Sequence, residues 1–230
     1  MNVRILQLIE GAKQARGLTV IIDVFRAFSL EAYLMDAGAE RIYPIGEAEK
    51  VFSLKAEHPD WIAIGERGGK KLDGMDFGNS PSSFEGMDLT GRVCLHTTSA
   101  GTQGIANAKG ASEIITGSLV NAKAIARYIQ ASGAEEVSLV AMGLSGGRET
   151  EEDTLCAEYI KCLLEGGTMD LAEPIESLKH TSGAKFFDPE RAEIFPTRDF
   201  ELCTMPDRFD FVLKVEKDED GAGYIKKIPV

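Results

Sequence analysis

Two short segments of this chain set a carboxylate close to a guanidinium: Asp23 with Arg26 three residues on, and Glu66 followed directly by Arg67. A carboxylate suits a hard cation such as Mg²⁺, and a guanidinium grips phosphate or sulfonate oxygens through two parallel hydrogen bonds. A third segment, Thr97-Thr-Ser-Ala-Gly-Thr102, is made of hydroxyls and a glycine. It lies between an apolar, β-capable run at 93–97 and a helix expected at 103–108. A turn of that kind aims backbone N–H groups and hydroxyls at one point, where the helix dipole favours an anion. Each segment also has a plainer reading. Asp23 and Arg26 could be a structural ion pair, Glu66 and Arg67 a solvated charged loop, and Ser99 or Thr102 a simple helix cap.

Asp76, Asn79 and Ser80 form another oxygen-rich group, and Pro81 suits the first position of a helix. Glu149, Glu151, Glu152 and Asp153 crowd a helix start, which the helix dipole favours without any function, while one or two of them could bind metal. The three histidines, His58, His96 and His180, are too few and scattered for a histidine metal site, and His96 falls on a strand where a satisfied core residue is expected. Familiar phosphate-handling patterns are absent. Gly65-Glu-Arg-Gly-Gly-Lys-Lys lacks the P-loop spacing. Cys94 has Ala100 where a thiol phosphatase needs arginine, and Asp23 has no second aspartate two residues later.

The elements that must position these residues alternate. Strands are expected at 2–9, 18–24, 41–45, 61–64, 93–97, 113–116 and 137–142, with a polar connection at 11–17. Helices are expected at 27–37, 47–57, 103–108, 121–130 and 150–164, the last with a Thr150-x-x-Asp153 capping box. Past residue 170 the pattern predicts helices at 171–180, 189–194 and 198–203, then a hairpin of 209–215 and 224–228. The glycine-rich stretch 65–81 has no period of either kind, but Leu72, Met75 and Phe77 give it apolar anchors, so it reads as an ordered functional loop. The unbroken apolar run 18–24, interrupted only by Asp23, suits a strand covered on both faces. The order predicts a three-layer α/β/α fold with a largely parallel or mixed central sheet, in one domain spanning 1–230. In such sheets ligands bind beyond the carboxyl ends of strands. Asp23, Glu66 and the 97–102 turn all fall there.

Composition narrows the partners. A formal charge of −12 over 230 residues, with no dense Lys or Arg run, argues against nucleic acid and leaves small anionic ligands held by a local cationic cluster. The four cysteines form no Cys-x-x-Cys pair, which fits reduced thiols in the cytoplasm. The N-terminus does not read as a signal peptide, no apolar run is long enough to span a membrane, and a homo-oligomer stays open.

Taken together, Ile22-Asp-Val-Phe-Arg-Ala-Phe-Ser29, Gly65-Glu-Arg-Gly-Gly69, Asp76-Phe-Gly-Asn-Ser-Pro81, Thr97-Thr-Ser-Ala-Gly-Thr102 and Glu152-Asp-Thr-Leu-Cys-Ala157 resemble, in order and spacing, the 2-phosphosulfolactate phosphatases, over about residues 18–215. Many members have one residue fewer in the threonine-rich turn, and Phe where this chain has Met75. The resemblance implies Mg²⁺-dependent hydrolysis of 2-phosphosulfolactate to sulfolactate and phosphate, a step of coenzyme M biosynthesis. It implies Asp23, Arg26, Glu66 and Arg67 as the catalytic group. Mg²⁺ would be held by Asp23, Glu66, Asp76 or Asp153. Asn79, Ser80, Thr97, Thr98, Ser99, Gly101 and Thr102 would touch the substrate. Attack by water and prior attack by a carboxylate are both open. A non-catalytic sensor of a small phosphorylated or sulfonated dianion is the competing reading.

Overall fold

The computed structural model describes residues 1–230. Strand β2 (Gly17–Ile22) sets the architecture, because its apolar side chains go to opposite faces. Val20 and Ile22 pack with residues of helices α5 (Ala122–Ser132) and α6 (Glu151–Leu164), whereas Ile21 packs with residues of α1 (Leu8–Gln14) and the turn before α4 (Gly101–Asn107). A strand with helices on both faces is the middle of three layers. The strands β3 (Arg41–Pro44), β4 (Ile62–Arg67) and β6 (Val93–Thr97) repeat the arrangement. Ile62, Ile64 and Cys94 meet α2 (Ala27–Asp36), while Ala63 and Leu95 meet α3 (Ala48–Glu57) on the other side.

All ten strands join one mixed sheet. The remaining strands are β1 (Asn2–Gln7), β5 (Lys70–Lys71), β7 (Ala111–Gly117), β8 (Glu136–Ala141), β9 (Phe211–Lys217) and β10 (Gly223–Pro229), in the order β1-β8-β2-β7-β9-β10-β3-β6-β4-β5. β1, β8, β2 and β7 form one parallel block, and β3, β6 and β4 another. The β9–β10 hairpin joins them through three antiparallel pairings, so the blocks run in opposite senses along the sheet. The C-terminal ends of β2, β4, β6 and β8 nevertheless contribute to a single cavity.

Several boundaries differ from the sequence reading. The polar connection at 11–17 is mostly α1, and Gly11 is there for packing, since a Cβ on it would come 2.9 Å from Leu6 Cβ. The 65–81 stretch is ordered: Met75 is buried, Phe77 bridges Ile64, and a 3₁₀ turn starts at Pro81 as its position predicts. The expected capping box at 150–153 does not form. Thr150 makes no side-chain cap, because Asp153 is turned inward to backbone amides elsewhere. Of the helix expected at 189–194 only a 3₁₀ turn, Pro189–Arg191, exists. α7 (Ala172–Leu178), α8 (Thr197–Cys203) and the 3₁₀ turns between them close around Leu178, Phe186, Phe195 and Phe200, with Phe25 against them. No helix is long and apolar enough to cross a membrane.

Candidate active site

Asp23 follows the last residue of β2 and is 6 % exposed. Its Oδ1 accepts a 3.2 Å hydrogen bond from Ala27 N–H at the start of α2, and its Oδ2 takes no protein donor and opens onto the cavity. Burial pushes its pKa up to about 7, helped by the neighbouring charges of Glu66 and Glu152 and opposed by the Ala27 amide and Lys185. Gly101 makes room for this arrangement: a Cβ there would lie 3.0 Å from Asp23 Oδ2 and 2.9 Å from Phe28. Gly101 is therefore required by the packing, and it does not line the cavity.

Glu66, at the end of β4, lines the same cavity. Its Oε1 accepts from Ser99 N–H at 2.7 Å and its Oε2 from Gly69 N–H at 2.6 Å, so it clamps the 97–102 turn to the loop after β4. The turn thus gives an amide to a carboxylate of the protein. Ser99 is the one hydroxyl of the turn on the cavity wall, and its Oγ accepts from Gly68 N–H. Thr98 and Thr102 are buried and bond to each other, each hydroxyl accepting the other's amide at 3.3 Å. The hydroxyl that closes the first turn of α4 is accordingly Thr98, neither Ser99 nor Thr102. Thr97 is buried and accepts from Arg67 Nη2 at 3.1 Å.

Four other expected site residues are directed away from the cavity. Arg67 spends its donors on the Glu66 and Gly46 carbonyls and on Thr97, and so ties β4 to its neighbours. Asp76 is exposed, bound to Lys55 Nζ and Ala63 N–H, and faces a different depression. Asp153 is 2 % exposed, with Oδ1 on Val24 N–H and Oδ2 on Gly143 N–H, a strut between the ends of β2 and β8. Burial, then Glu152 and Asp23, hold its pKa well above the ordinary carboxylate range. Ser80 donates to Asp199 Oδ1 at 2.9 Å. Asp199 in turn pairs with Arg26 at 2.6 Å, with both side chains almost fully buried, so Arg26 is paired from α8 and not with Asp23. Arg26 still lines the cavity and also donates to the Ile194 and Gly69 carbonyls.

Asn79 reaches the cavity from a buried relay. Glu31 Oε1 lies 2.8 Å from His96 Nδ1, and His96 Nε2 lies 3.1 Å from Asn79 Oδ1. With its carbonyl held by His96, Asn79 presents its NH₂ as a donor on the cavity side. His96 is thus a core residue with a positioning task.

The remaining cavity groups are either not singled out by the sequence or, for Glu152, not separable there from its acidic neighbours. Glu152, one of four acids at a helix start, is 3 % exposed on the cavity wall; its Oε2 is fully enclosed without a partner, and burial raises its pKa against the neighbouring Ser182 hydroxyl and Lys185. Lys185 and Arg191 come from the irregular C-terminal part, and Arg148 from the loop after β8. Together these groups line a cavity of about 500 Å³ with a carboxylate side, Asp23, Glu66 and Glu152, and a cationic side. No three Asp, Glu, His or Cys side chains converge as a complete protein cage for a metal.

The sequence model of the family described as 2-phosphosulpholactate phosphatase matches residues 3–218. A protein of Bacillus subtilis (strain 168) named probable 2-phosphosulfolactate phosphatase is 34% identical over 205 residues, which is 87% of this chain and 88% of the relative. Proteins of the same name are similar to the chain in Carboxydothermus hydrogenoformans, at 35% over 168 residues (71% and 68% covered), and in Caldanaerobacter subterraneus subsp. tengcongensis, at 29% over 211 residues (86% and 87%).

Proposed function

The chain belongs to the 2-phosphosulfolactate phosphatase family, a family of phosphoric monoester hydrolases, and on that premise we propose that it hydrolyses 2-phosphosulfolactate to sulfolactate and phosphate with Mg²⁺. The observation that carries the reading is a pair of buried carboxylates on one cavity, Asp23 with one oxygen free of protein donors and Glu152 with its Oε2 unpartnered, in a cavity that cations also line. A buried carboxylate left unpaired costs several kcal/mol, on the order of 3–5, unless a cation or a reaction satisfies it.

Mg²⁺ fits these residues. It takes hard oxygen ligands, needs only one or two carboxylates, and completes its shell with water and substrate phosphate. Asp23 Oδ2 and Glu152 are the donors open to it, and Glu66 adds charge beside them. When bound, Mg²⁺ neutralises the transferring phosphoryl group and favours in-line displacement.

The protein's own groups do the rest. Asn79 NH₂ donates to a phosphoryl oxygen, its direction set by His96 and Glu31. Arg26, fixed by Asp199, keeps positive charge beside the reacting group. Asp23 stands at the carboxyl end of the central strand, where its free oxygen would help hold the metal beside the reacting group. Glu66 holds the turn containing Ser99 in register with the Gly68–Gly69 loop, so the cavity is preformed.

In a host that makes coenzyme M this reaction supplies its sulfolactate precursor, and four unpaired cysteines suit a reducing cytoplasm. Phosphate release from 2-phosphosulfolactate with Mg²⁺, and its loss in excess chelator, tests the reading. Tight binding of the substrate without release would instead establish a sensor.

A further inference from the structure

Of the four cations that line the cavity only Arg26 is paired with a carboxylate. Arg26 is paired with Asp199 and held by two carbonyls. Lys185, on the same cavity, is partly buried beneath three phenylalanine rings, with Nζ 5.5 Å from the centre of Phe25 and 5.4 Å from those of Phe186 and Phe195. It makes no ion pair and no hydrogen bond, and burial lowers its pKa, against which Glu152 and Asp23 hold it up. Arg191, stacked over Phe195 at 4.6 Å, and Arg148 are also unpaired and line the same cavity. Ser182, next to them, has a buried hydroxyl with no hydrogen bond of ordinary length, Glu152 being its neighbour. In a chain of net charge −12, three free cations at one cavity are a local inversion of sign.

An ammonium pressed against apolar rings loses hydration that the rings only partly replace, and the missing contact has to come from what enters the cavity. The carboxylate side, Asp23 and Glu152, serves the phosphoryl group in the reading proposed above, on which this inference rests. Arg26 and Asn79 already serve the phosphoryl group in that reading, so the further cations, Lys185 and Arg191, are available to another part of the ligand. We propose that Lys185, with Arg191 at the mouth and the Ser182 hydroxyl beside it, is a subsite for a second strongly acidic group, a sulfonate or carboxylate on the carbon next to the phosphate ester. The 181–195 segment is then the part of the fold that selects phosphate esters carrying one or two further acidic groups over those with neutral tails.

The test compares wild type with Lys185→Met, which keeps the length of the side chain and removes the charge, and with Lys185→Gln as a second neutral variant. Substrates are 2-phosphosulfolactate, 2-phospholactate (carboxylate only), O-phosphoisethionate (sulfonate only) and glycerol 2-phosphate (neutral tail), each with Mg²⁺. The ratio of kcat/KM for 2-phosphosulfolactate over glycerol 2-phosphate should fall about 10- to 100-fold in both variants, the range for one lost charged hydrogen bond. Whichever singly acidic ester shows the larger fall identifies the group that Lys185 contacts. Sulfolactate alone should raise the melting temperature of wild type and not that of the variants. This readout separates the two ideas, because it stands even if no ester is hydrolysed. An unchanged ratio, or an equal loss on all four esters, overturns the subsite; the latter would place Lys185 on the phosphoryl group itself.

Discussion

Asp23→Asn separates a reacting carboxylate from a structural one, because the two readings predict opposite signs in stability. Asp23 is raised from its ordinary 3.8 to about 7, chiefly by burial. A rise of about three pH units, at about 1.36 kcal/mol each, means that the folded protein holds the ionised form at a cost of roughly 4 kcal/mol once the pH is well above 7. A folded-state pKa above the unfolded one gives stability that is complete below about pH 4 and is lost as the pH rises to about 7. Asparagine has nearly the same shape, keeps an oxygen for Ala27 N–H, and carries no charge. Metal-free Asp23→Asn should therefore be more stable than wild type at pH 8, by up to roughly 4 kcal/mol, and about equal to it near pH 4.

The assay is thermal melting in chelator at several pH values, where about 2–4 °C accompanies each kcal/mol in a chain of this size. Phosphate release in Mg²⁺ runs alongside, and turnover should fall by roughly a hundredfold or more. A variant that gains stability while losing activity has given up a group kept for chemistry. Asp23→Asn that melts below wild type at pH 8 yet retains turnover would refute the assignment, since that is how a structural strut behaves.

Three further substitutions probe the surroundings. Mg²⁺ should raise the melting temperature of wild type and much less that of Glu152→Gln, because Glu152 Oε2 has no protein partner to satisfy it; an identical Mg²⁺ shift in the variant would remove Glu152 from the metal site. Asp199→Asn leaves Arg26 buried without its counter-charge and should cost on the order of 3–5 kcal/mol, read as a lower denaturant midpoint; a midpoint within about 0.5 kcal/mol of wild type would show that the Ile194 and Gly69 carbonyls suffice. Arg67→Lys should lower stability by about 1–2 kcal/mol and leave KM near wild type, since its donors go to the Glu66 and Gly46 carbonyls and Thr97; a large rise in KM would put the guanidinium back on the substrate.

What could be read from the sequence follows what is local. The run 18–24 announces a strand covered on both faces because each of its residues is apolar or small, and its one carboxylate marks the strand end where ligands bind. Asp23, Glu66, Asn79 and Ser99 were visible in this way and do share a cavity. Arg67 was assigned to an anion by its neighbour in sequence, whereas its partners Gly46 and Thr97 are 21 and 30 residues away. Direction was equally hidden. Asp153 and Glu152 are adjacent acids in the first turn of α6, and successive helix positions point about 100° apart, so one meets backbone amides while the other meets the cavity. No composition rule distinguishes them.

The cationic wall was out of reach for a different reason. Lys185, Arg191 and Asp199 lie in a segment of short helices and 3₁₀ turns whose order comes from phenylalanine packing, and such packing leaves no period in the sequence. That packing also explains why the segment belongs to the site. Phe25, in the loop that carries Asp23 and Arg26, packs edge-on to Phe186 at 5.0 Å and tilted to Phe200 at 5.6 Å, and Arg26 pairs with Asp199 on α8. The loop after β2 is thus fixed from the C-terminal part of the chain by one apolar contact and one buried ion pair. Because the same loop presents Asp23, a change in the phenylalanine cluster alters the carboxylate side and the Lys185 side of the cavity together.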